Sequence, residues 1–306
     1  MSQQQSASAT RRIFLGSMAA AAASSLANAS GGVRDDGDRM YPICAFIKFI
    51  QSLSYEELAD QMSGMGFDGI EATVRKKGLI EPEAAPEQLP RLVEALKQRD
   101  LEVNVMTTGI VDANEMVARR FLETAASLGI KRYRMGYFRY DSKRDVVPQL
   151  AEMQPRLNEL AALNRELGIT AIYQNHAGNG YVGSTIWDLQ RLLSEISPQE
   201  VGMAFDIRHA TAEAGMSWPT LFRVATPHLQ SVYVKDFTWD GRRPRNVPLG
   251  EGQVDPRFFR FLKETDFAGP ISLHVEYLPD GTVDENLRAL QDDLMTLNNM
   301  LADGGA

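Results

Sequence analysis

Polar side chains that suit binding or proton transfer follow two strand-like runs near the middle of the chain. The runs are TAIYQNH and VGMAFD, and one helix-like segment lies between them. The polar residues at their ends are Gln174, Asn175, His176, Asp206 and His209. In a parallel α/β barrel, active sites form at the carboxyl ends of the strands. If the two runs are neighbouring barrel strands, these side chains meet on one rim.

The rest of the chain supplies the other elements that such a rim requires. After residue 40, short apolar runs alternate with stretches whose apolar residues recur at helical spacing. The strand-like runs are 41–49, 67–74, 101–109, 131–138, 170–176, 201–206, 229–237 and 269–277. The helix-like stretches include 55–65, 86–99, 115–129, 146–167, 255–265 and 285–301. Eight strand–helix pairs predict an α/β fold of the (β/α)8 TIM barrel type.

The barrel is expected to form a single domain over residues 41–303, because no linker divides this stretch. A doubly wound open sheet is the main alternative fold. That fold favours a glycine-rich phosphate turn after the first strand, and the sequence has none there. Ser54 is expected to cap the helix over 55–65, and residues 238–253 are predicted to form a long loop.

Residues 1–29 differ from the rest of the chain and indicate a twin-arginine signal peptide. Arg11–Arg12 precede an apolar run, and the motif ANA at 27–29 provides a small-x-small cleavage site. The apolar run of about 14 residues falls short of the roughly 20 that span a membrane. We therefore expect a periplasmic or extracellular protein without a membrane anchor after cleavage, with residues 30–40 as a flexible linker.

Composition limits the classes of partner. Lys and Arg number 32 against 40 Asp and Glu, which gives a net charge of −8. No stretch is basic enough to bind a phosphate backbone, so a nucleic-acid partner is not expected. The single cysteine, Cys44, lies in an apolar run and is expected to be a buried, unreactive thiol. The sequence leaves the oligomeric state open, a homo-oligomer included.

Six motifs resemble those of the xylose isomerase-like TIM-barrel superfamily, which includes sugar phosphate isomerases and epimerases. They are GFDGIEATV, YQNHAG where the family usually has Glu-Asn-His, AFDIRHA, VYVKDF, VPLGEGQVD and GPISLHVEY. Their order and spacing agree with the family throughout residues 41–303. The resemblance implies a barrel enzyme of carbohydrate metabolism that acts on a small-molecule carbohydrate.

The resemblance also implies a divalent metal ion, Mn, Mg, Co or Zn, at the mouth of the barrel. Carried over residue by residue, its ligand positions are Gln174, Asp206, Tyr233 and Glu276. Gln174 brings no charge, and Tyr233 ligates poorly unless it is ionised, so the site is expected to be weakened. His209 completes the expected set of Gln174, Asp206, His209 and Glu276, with His176 as the alternative imidazole ligand.

Members of this family remove a proton from the carbon next to a carbonyl, and two carboxylates exchange protons on opposite faces. With Gln174 in one of those positions, Glu276 is left as the base. Lys235 is expected to polarise the carbonyl or donate a proton, or else to form a salt bridge with Asp236 or a neighbour. His176 is expected to act in acid–base chemistry or bind a sugar hydroxyl, or else to bond the loop AGNG.

Four side chains are expected to contact substrate, namely His209, Gln174, Glu71 and Tyr233. The alternative for Glu71 is an ion pair with an arginine inside the barrel.

Three functions stay open on the sequence. The first is an exported isomerase or epimerase that acts on a non-phosphorylated sugar or keto-sugar. The second is a lyase that eliminates from a 3-keto-glycoside, since elimination needs one base and one acid. The third is a barrel that only binds carbohydrate, because a fold does not guarantee an activity.

Overall fold

Eight parallel strands close into a barrel in a computed structural model of the chain, which describes residues 40–303. The barrel strands are β1 (Ile43–Phe46), β2 (Gly69–Thr73), β3 (Glu102–Thr107), β4 (Arg132–Arg134), β5 (Thr170–Gln174), β6 (Val201–Asp206), β7 (Leu229–Val234) and β10 (Ile271–Leu273). Each pairs with its neighbours in chain order, and β10 pairs with β1 to close the ring. The predicted (β/α)8 barrel is confirmed, whereas the signal peptide predicted at residues 1–29 lies outside the described residues.

Helices follow the strands and form the outer layer. They are α1 (Tyr55–Met65), α2 (Ala85–Lys97), α3 (Met116–Ser127), α4 (Val146–Leu167), α5 (Trp187–Leu193), α6 (Ile207–Ala214), α7 (Trp218–Ala225), α8 (Phe258–Lys263) and α9 (Val283–Asp303). The predicted cap at Ser54 is confirmed. Its hydroxyl accepts from the backbone N–H of Glu57, and the Glu57 carboxylate accepts from the backbone N–H of Ser54. Within residues 40–303, no helix has the length and apolarity that a membrane span requires.

The alternation of side chains along each strand separates two cores. Outward-facing residues pack against the helices in one large apolar cluster, and inward-facing residues fill the barrel. Val105, Ile172, Ala204 and Tyr233 form a small apolar cluster of their own. Because a strand rises about 3.3 Å per residue, inward residues two positions further along lie about 6.6 Å nearer the rim. Polar side chains at the strand ends therefore stand nearer the rim than this small cluster.

A β-hairpin replaces much of the loop predicted over 238–253. Strand β8 (Asp236–Asp240) pairs antiparallel with β9 (Arg243–Val247), and Gly241 adopts a φ of 59° in the turn. The dipeptide Asp-Gly is a recognised hairpin signal, so the sequence did carry the information. The Asp236 carboxylate accepts hydrogen bonds from three backbone N–H groups after the hairpin, those of Gly250, Gly252 and Val254. This anchors the hairpin at the barrel mouth.

Candidate active site

A cavity of about 630 Å³ opens at the carboxyl-terminal ends of the barrel strands. Its lining includes most of the residues predicted from the sequence: Gln174, His176, His209, Lys235 and Glu276. Strands β5, β6, β7 and β10 are consecutive in the barrel, so these side chains reach one mouth although up to 102 positions separate them in sequence (276 − 174).

The ammonium group of Lys235 lies between two carboxylates. Its Nζ is 2.7 Å from Oε2 of Glu276 and 3.3 Å from Oδ2 of Asp206. Burial disfavours the charged amine, but the charges of Asp206 and Glu276 outweigh it and raise the pKa of Lys235. Burial likewise opposes ionisation of Glu276, yet the charge of Lys235 holds the pKa of this carboxyl below its ordinary value. Both groups are therefore charged at neutral pH.

Asp206 is held rigidly at the end of β6. Its backbone N–H donates to Oδ1 of Asn175 at 2.7 Å, and the Asn175 amide donates back to its carbonyl at 3.1 Å. Its carboxylate also caps α6 by accepting from the backbone N–H of His209. Asn175 thus positions Asp206 rather than lining the cavity.

Gln174 turns its amide oxygen away from Asp206. That oxygen accepts from Nη1 of Arg134 at 3.1 Å and from the hydroxyl of Tyr137, while Nε2 donates to Oδ2 of Asp206 at 2.7 Å. The hydroxyl of Tyr137 in turn accepts from Arg134. Gln174 therefore meets its carboxylate neighbour as a hydrogen-bond donor, which a glutamate at this position cannot do unless it is protonated.

Two imidazoles stand side by side on the lining, with opposite hydrogen-bond roles. The rings of His176 and His209 have centroids 4.0 Å apart. Nδ1 of His176 bonds the Ala177 carbonyl at 2.8 Å, and a carbonyl only accepts, so Nε2 keeps the lone pair. Nδ1 of His209 lies 3.1 Å from Nη1 of Arg208, and a guanidinium only donates, so Nε2 of His209 carries the proton.

Both imidazoles are neutral. Burial lowers the pKa of His176, and burial together with the nearby charge of Lys235 lowers the pKa of His209 well below its ordinary value. Nε2 of His209 is buried and has no hydrogen-bond partner among the described residues, its nearest carboxylate oxygen being Oδ2 of Asp206 at 3.5 Å. The pair offers the cavity one proton acceptor and one proton donor.

Two predicted substrate contacts, Glu71 and Tyr233, lie beneath the cavity rather than in its lining, which corrects the sequence-based expectation. Both are completely buried. Glu71 accepts from the Tyr233 hydroxyl at 3.0 Å and from Ser272 at 2.6 Å, bonds Nε2 of His274 at 3.0 Å, and lies 3.9 Å from Arg134. Burial opposes ionisation, but His274 and Arg134 hold the pKa of Glu71 at about 2.

The physical reason is the alternation of the strands. Tyr233 and Lys235 both point inward, but Tyr233 stands two residues lower on β7. Glu71 instead forms an ion pair with Arg134 inside the barrel, which was the alternative interpretation of this residue. Lys235 likewise forms a salt bridge with neighbours, although the neighbours are Asp206 and Glu276 and not Asp236.

Several cavity residues were not singled out from the sequence, namely Lys48, Arg75, Arg134, Tyr137 and Arg208. Each lies on, or directly after, a predicted strand. Arg208 stands inside the motif AFDIRHA, and Arg134 is the inward residue at the end of β4. For the four cationic residues, charge at the carboxyl ends of strands was the available signal, but a cation there is equally consistent with a surface position. Tyr137 gave no such signal.

The side chains at the barrel mouth do not fit the divalent metal that the resemblance implies. Asp206 and Glu276 share an ammonium group, the oxygen of Gln174 is already bonded by two donors, and Tyr233 is buried below. Nε2 of His209 carries its proton, whereas a metal requires a lone pair. Within residues 40–303, no three His, Cys, Asp or Glu side chains converge as metal ligands.

Comparisons with known proteins agree with the fold. Residues 59–294 match the sequence model of the family described as Xylose isomerase-like TIM barrel. No protein of curated function matches the chain in sequence.

Among similar solved structures is 3-keto-D-glucoside 4-epimerase from E. coli in its apo form. It is 16% identical, with a TM-score of 0.64 over 83% of this chain and 99% of that one. A probable 3-DHS dehydratase from Bacillus anthracis is 16% identical, with a TM-score of 0.61 over 83% and 98% of the two chains.

A xylose isomerase-like TIM barrel protein from Mycobacterium smegmatis, in complex with magnesium, is 17% identical. Its TM-score is 0.62 over 85% of this chain and 98% of that one. At these identities the likeness establishes the fold.

Proposed function

This chain belongs to the xylose isomerase-like TIM barrel family, and on that premise we propose that it is an enzyme acting on a carbohydrate. The reaction proposed is removal of a proton from the carbon next to a carbonyl, on a non-phosphorylated sugar or keto-sugar. The observation that carries the proposal is the Lys235–Glu276 pair, 2.7 Å apart in the wall of the cavity. It places an ionised carboxylate, which can accept a proton, beside a cation that can donate a hydrogen bond.

Glu276 accepts the proton from carbon. Its carboxylate is 18% exposed, so a substrate in the cavity can reach it, and it is ionised at any working pH. Lys235 donates a hydrogen bond to the carbonyl oxygen, where negative charge develops as the proton leaves. A preorganised donor aimed at developing charge in a water-poor site is worth about 10² to 10³ in rate.

The protonation state of Lys235 supports this role. Asp206 lies on the side of Lys235 opposite Glu276 and raises the pKa of Lys235. The ammonium therefore stays charged when Glu276 turns from Lys235 to the substrate. Gln174 and Arg134 hold Asp206 and the wall of the cavity in place through their hydrogen bonds. These steps use the chain's own residues and no metal ion.

The imidazole pair completes the proton transfers. The Nε2–H of the neutral His209 donates a hydrogen bond to a substrate oxygen, and Nε2 of His176 accepts a proton from a substrate hydroxyl. In an isomerase or epimerase, this pair and Glu276 serve different faces or atoms of the enediolate. We take the chain to be of this isomerase or epimerase type.

A lyase is the second candidate, because Gln174 stands where a second carboxylate base is usual in the family. Elimination from a 3-keto-glycoside needs one base at the α carbon and a donor that stabilises the leaving oxygen until solvent protonates it, which Glu276 and the Nε2–H of His209 provide. Several relatives of the same fold bear epimerase names and one a dehydratase name. These names are consistent with both candidates.

Solvent exchange tests the proposal. The protein is incubated in D₂O with 3-keto-glucosides and ketohexoses, and deuterium at the α carbon is followed by NMR and mass spectrometry. We expect exchange with the wild type and none with Glu276→Gln. Release of the aglycone identifies the lyase, and a changed sugar without release identifies the epimerase. No exchange across the panel, with sugar still bound, would leave the barrel as a binding protein.

We also propose that the protein is exported through the twin-arginine pathway, supported by Arg11–Arg12 and the ANA motif at 27–29. N-terminal sequencing of the periplasmic fraction is expected to begin at residue 30. Replacement of both arginines by lysine should retain the protein in the cytoplasm. Mature protein that still begins at residue 1 would exclude cleavage.

A further inference from the structure

Positive charge dominates the wall of the cavity. Six cationic side chains line it, against two acidic ones, Glu213 and Glu276. The cations are Lys48, Arg75, Arg134, Arg208, Lys235 and Arg242. The whole chain is acidic, with a net charge of −8, so the excess of cationic side chains is a local property of the cavity.

Three of the six cations are neutralised within the protein. Lys235 pairs with Glu276 and Asp206, and Arg134 lies beside Glu71. Lys48 lies 3.9 Å from the second oxygen of Glu276. These three therefore have carboxylate partners whether or not the cavity is filled.

Arg208 differs from these three cations, because it is buried and has no carboxylate partner within ion-pair distance among the described residues. It is only 7% exposed, yet it forms no ion pair with a described residue. Its contacts are the neutral His209, at 3.1 Å, and the ring of Phe237, at 4.9 Å from the guanidinium carbon. Its Nε has no hydrogen-bond partner among residues 40–303. Burial lowers the pKa of Arg208, and the carboxylates of Asp206 and Glu276 act on it only from beyond ion-pair distance. An anion in the cavity that pairs with this guanidinium directly would therefore be favoured.

Arg75 lies across the mouth from Arg208. It follows β2, and β2 and β6 are four strands apart in the eight-stranded ring. Its half-buried guanidinium has no hydrogen bond or ion pair with a described residue, and burial lowers its pKa. Arg242, in the turn of the β8–β9 hairpin, adds an exposed cation to the lining.

We infer that the substrate of this cavity carries an anionic group, which Arg208 and Arg75 bind. A carboxylate agrees with the non-phosphorylated sugar proposed above, whereas a phosphate would replace that part of the proposal. A guanidinium presents planar paired donors that match both groups. A neutral sugar hydroxyl satisfies a donor but leaves the charge uncompensated. The inference rests on the proposed function in one respect, that the cavity takes a carbohydrate, and it narrows the substrate to an acidic sugar derivative.

Equilibrium binding of three matched probes tests the inference independently of catalysis. Titration calorimetry is carried out with D-glucuronate, D-glucose 6-phosphate and D-glucose, at 50 mM and 300 mM salt. We expect at least one acidic probe to bind 10-fold or more tightly than glucose, with an affinity that falls as salt rises. The stronger of the two acidic probes identifies the carboxylate or the phosphate as the anionic group.

Variants locate the site. Arg208→Gln and Arg75→Gln are each expected to weaken the acidic probe 10-fold or more and to weaken glucose by much less, while Arg208→Lys retains part of the affinity for the acidic probe. Arg260→Gln, an exposed arginine of α8, is the matched control and should bind as the wild type does. Arg75 is only half-buried, so its variant remains informative if Arg208→Gln fails to fold.

Two results would overturn the inference. One is glucose binding as tightly as both acidic probes. The other is equal weakening of neutral and acidic probes in Arg75→Gln. Deuterium exchange into neutral keto-sugars alongside either result would leave the proposed function standing, so the two failures can be told apart.

Discussion

Nζ of Lys235 lies 2.7 Å from Oε2 of Glu276, and the two side chains come from neighbouring strands of the barrel. Asp206 approaches the same ammonium group at 3.3 Å from the other side. The family resemblance implies a divalent cation in this part of the barrel mouth. In this chain the ammonium group of Lys235 stands between two of the implied ligands, Asp206 and Glu276.

Loss of Lys235 should slow turnover strongly and also destabilise the fold. We expect Lys235→Met to lower the deuterium-exchange rate by about 10² to 10³, and to reduce the free energy of unfolding by about 3 to 5 kcal/mol because two buried carboxylates lose their cation. The double variant Lys235→Met, Glu276→Gln should recover stability in urea unfolding but not activity. Wild-type exchange in the single variant would contradict the role given to Lys235.

Removal of divalent metal should leave the protein unchanged. We expect the same Tm and exchange rate after dialysis against a chelator, and no saturable shift on adding Mn²⁺, Mg²⁺, Co²⁺ or Zn²⁺. The paired variant Gln174→Glu, Lys235→Ser brings a third carboxylate to Asp206 and Glu276 and removes the ammonium. This double variant should bind Mn²⁺. Its free energy of unfolding should rise by about 2.7 kcal/mol when the Mn²⁺ concentration is 100 times the Kd. Stoichiometric metal in the wild type would refute this.

Glu71 is expected to support the fold rather than the chemistry. Replacement by Gln leaves Arg134 and His274 without their carboxylate, so Glu71→Gln should lose about 3 to 5 kcal/mol of unfolding free energy at pH 7. Because the folded pKa of about 2 lies below the ordinary value of 4.5, this contribution is complete above pH 4.5 and is lost as the pH falls toward 2. Substrate affinity of the folded fraction should be unchanged. Glu102→Gln, exposed at the start of β3, is the control.

Asp293 should make the protein less stable as the pH rises. Burial raises the pKa of this α9 carboxyl from 3.8 to about 7, although it accepts hydrogen bonds from the Leu249 N–H and the Tyr277 hydroxyl. The folded state then holds a proton that the unfolded state releases, so stability declines between pH 3.8 and 7. Asp293→Asn keeps an acceptor without the charge and should gain about 1 to 4 kcal/mol at pH 8, but little at pH 4. Urea unfolding at both pH values measures this.

The imidazole pair should show two different tautomers. ¹⁵N NMR at pH 7 is expected to find His176 protonated at Nδ1 and His209 at Nε2, each neutral. Replacement of Arg208 by Gln removes the donor to Nδ1 of His209 and should mix the tautomers of that residue alone. If the two histidines have the same tautomer in the wild type, Nε2 of His176 and Nε2 of His209 cannot be one acceptor and one donor.

Residues within one strand or helix were predictable from the sequence. The eight strands, the cap at Ser54 and the convergence of Gln174, His176, His209 and Glu276 follow from local periodicity and from the rule that polar groups at strand ends share a rim. The buried state of Cys44 followed in the same way from its apolar neighbours. Each of these inferences needs only the positions of residues along the chain.

What only the tertiary structure decided is the height and the partner of each inward side chain. The sequence does not say that Lys235 rather than Tyr233 reaches Glu276, that Gln174 turns its nitrogen to Asp206, or that Arg208 is buried without a carboxylate. These relationships depend on how strands far apart in sequence are placed when the barrel closes. A residue's chemistry is thus set by its own type, but its partner and its charge are set by neighbours up to 203 positions away.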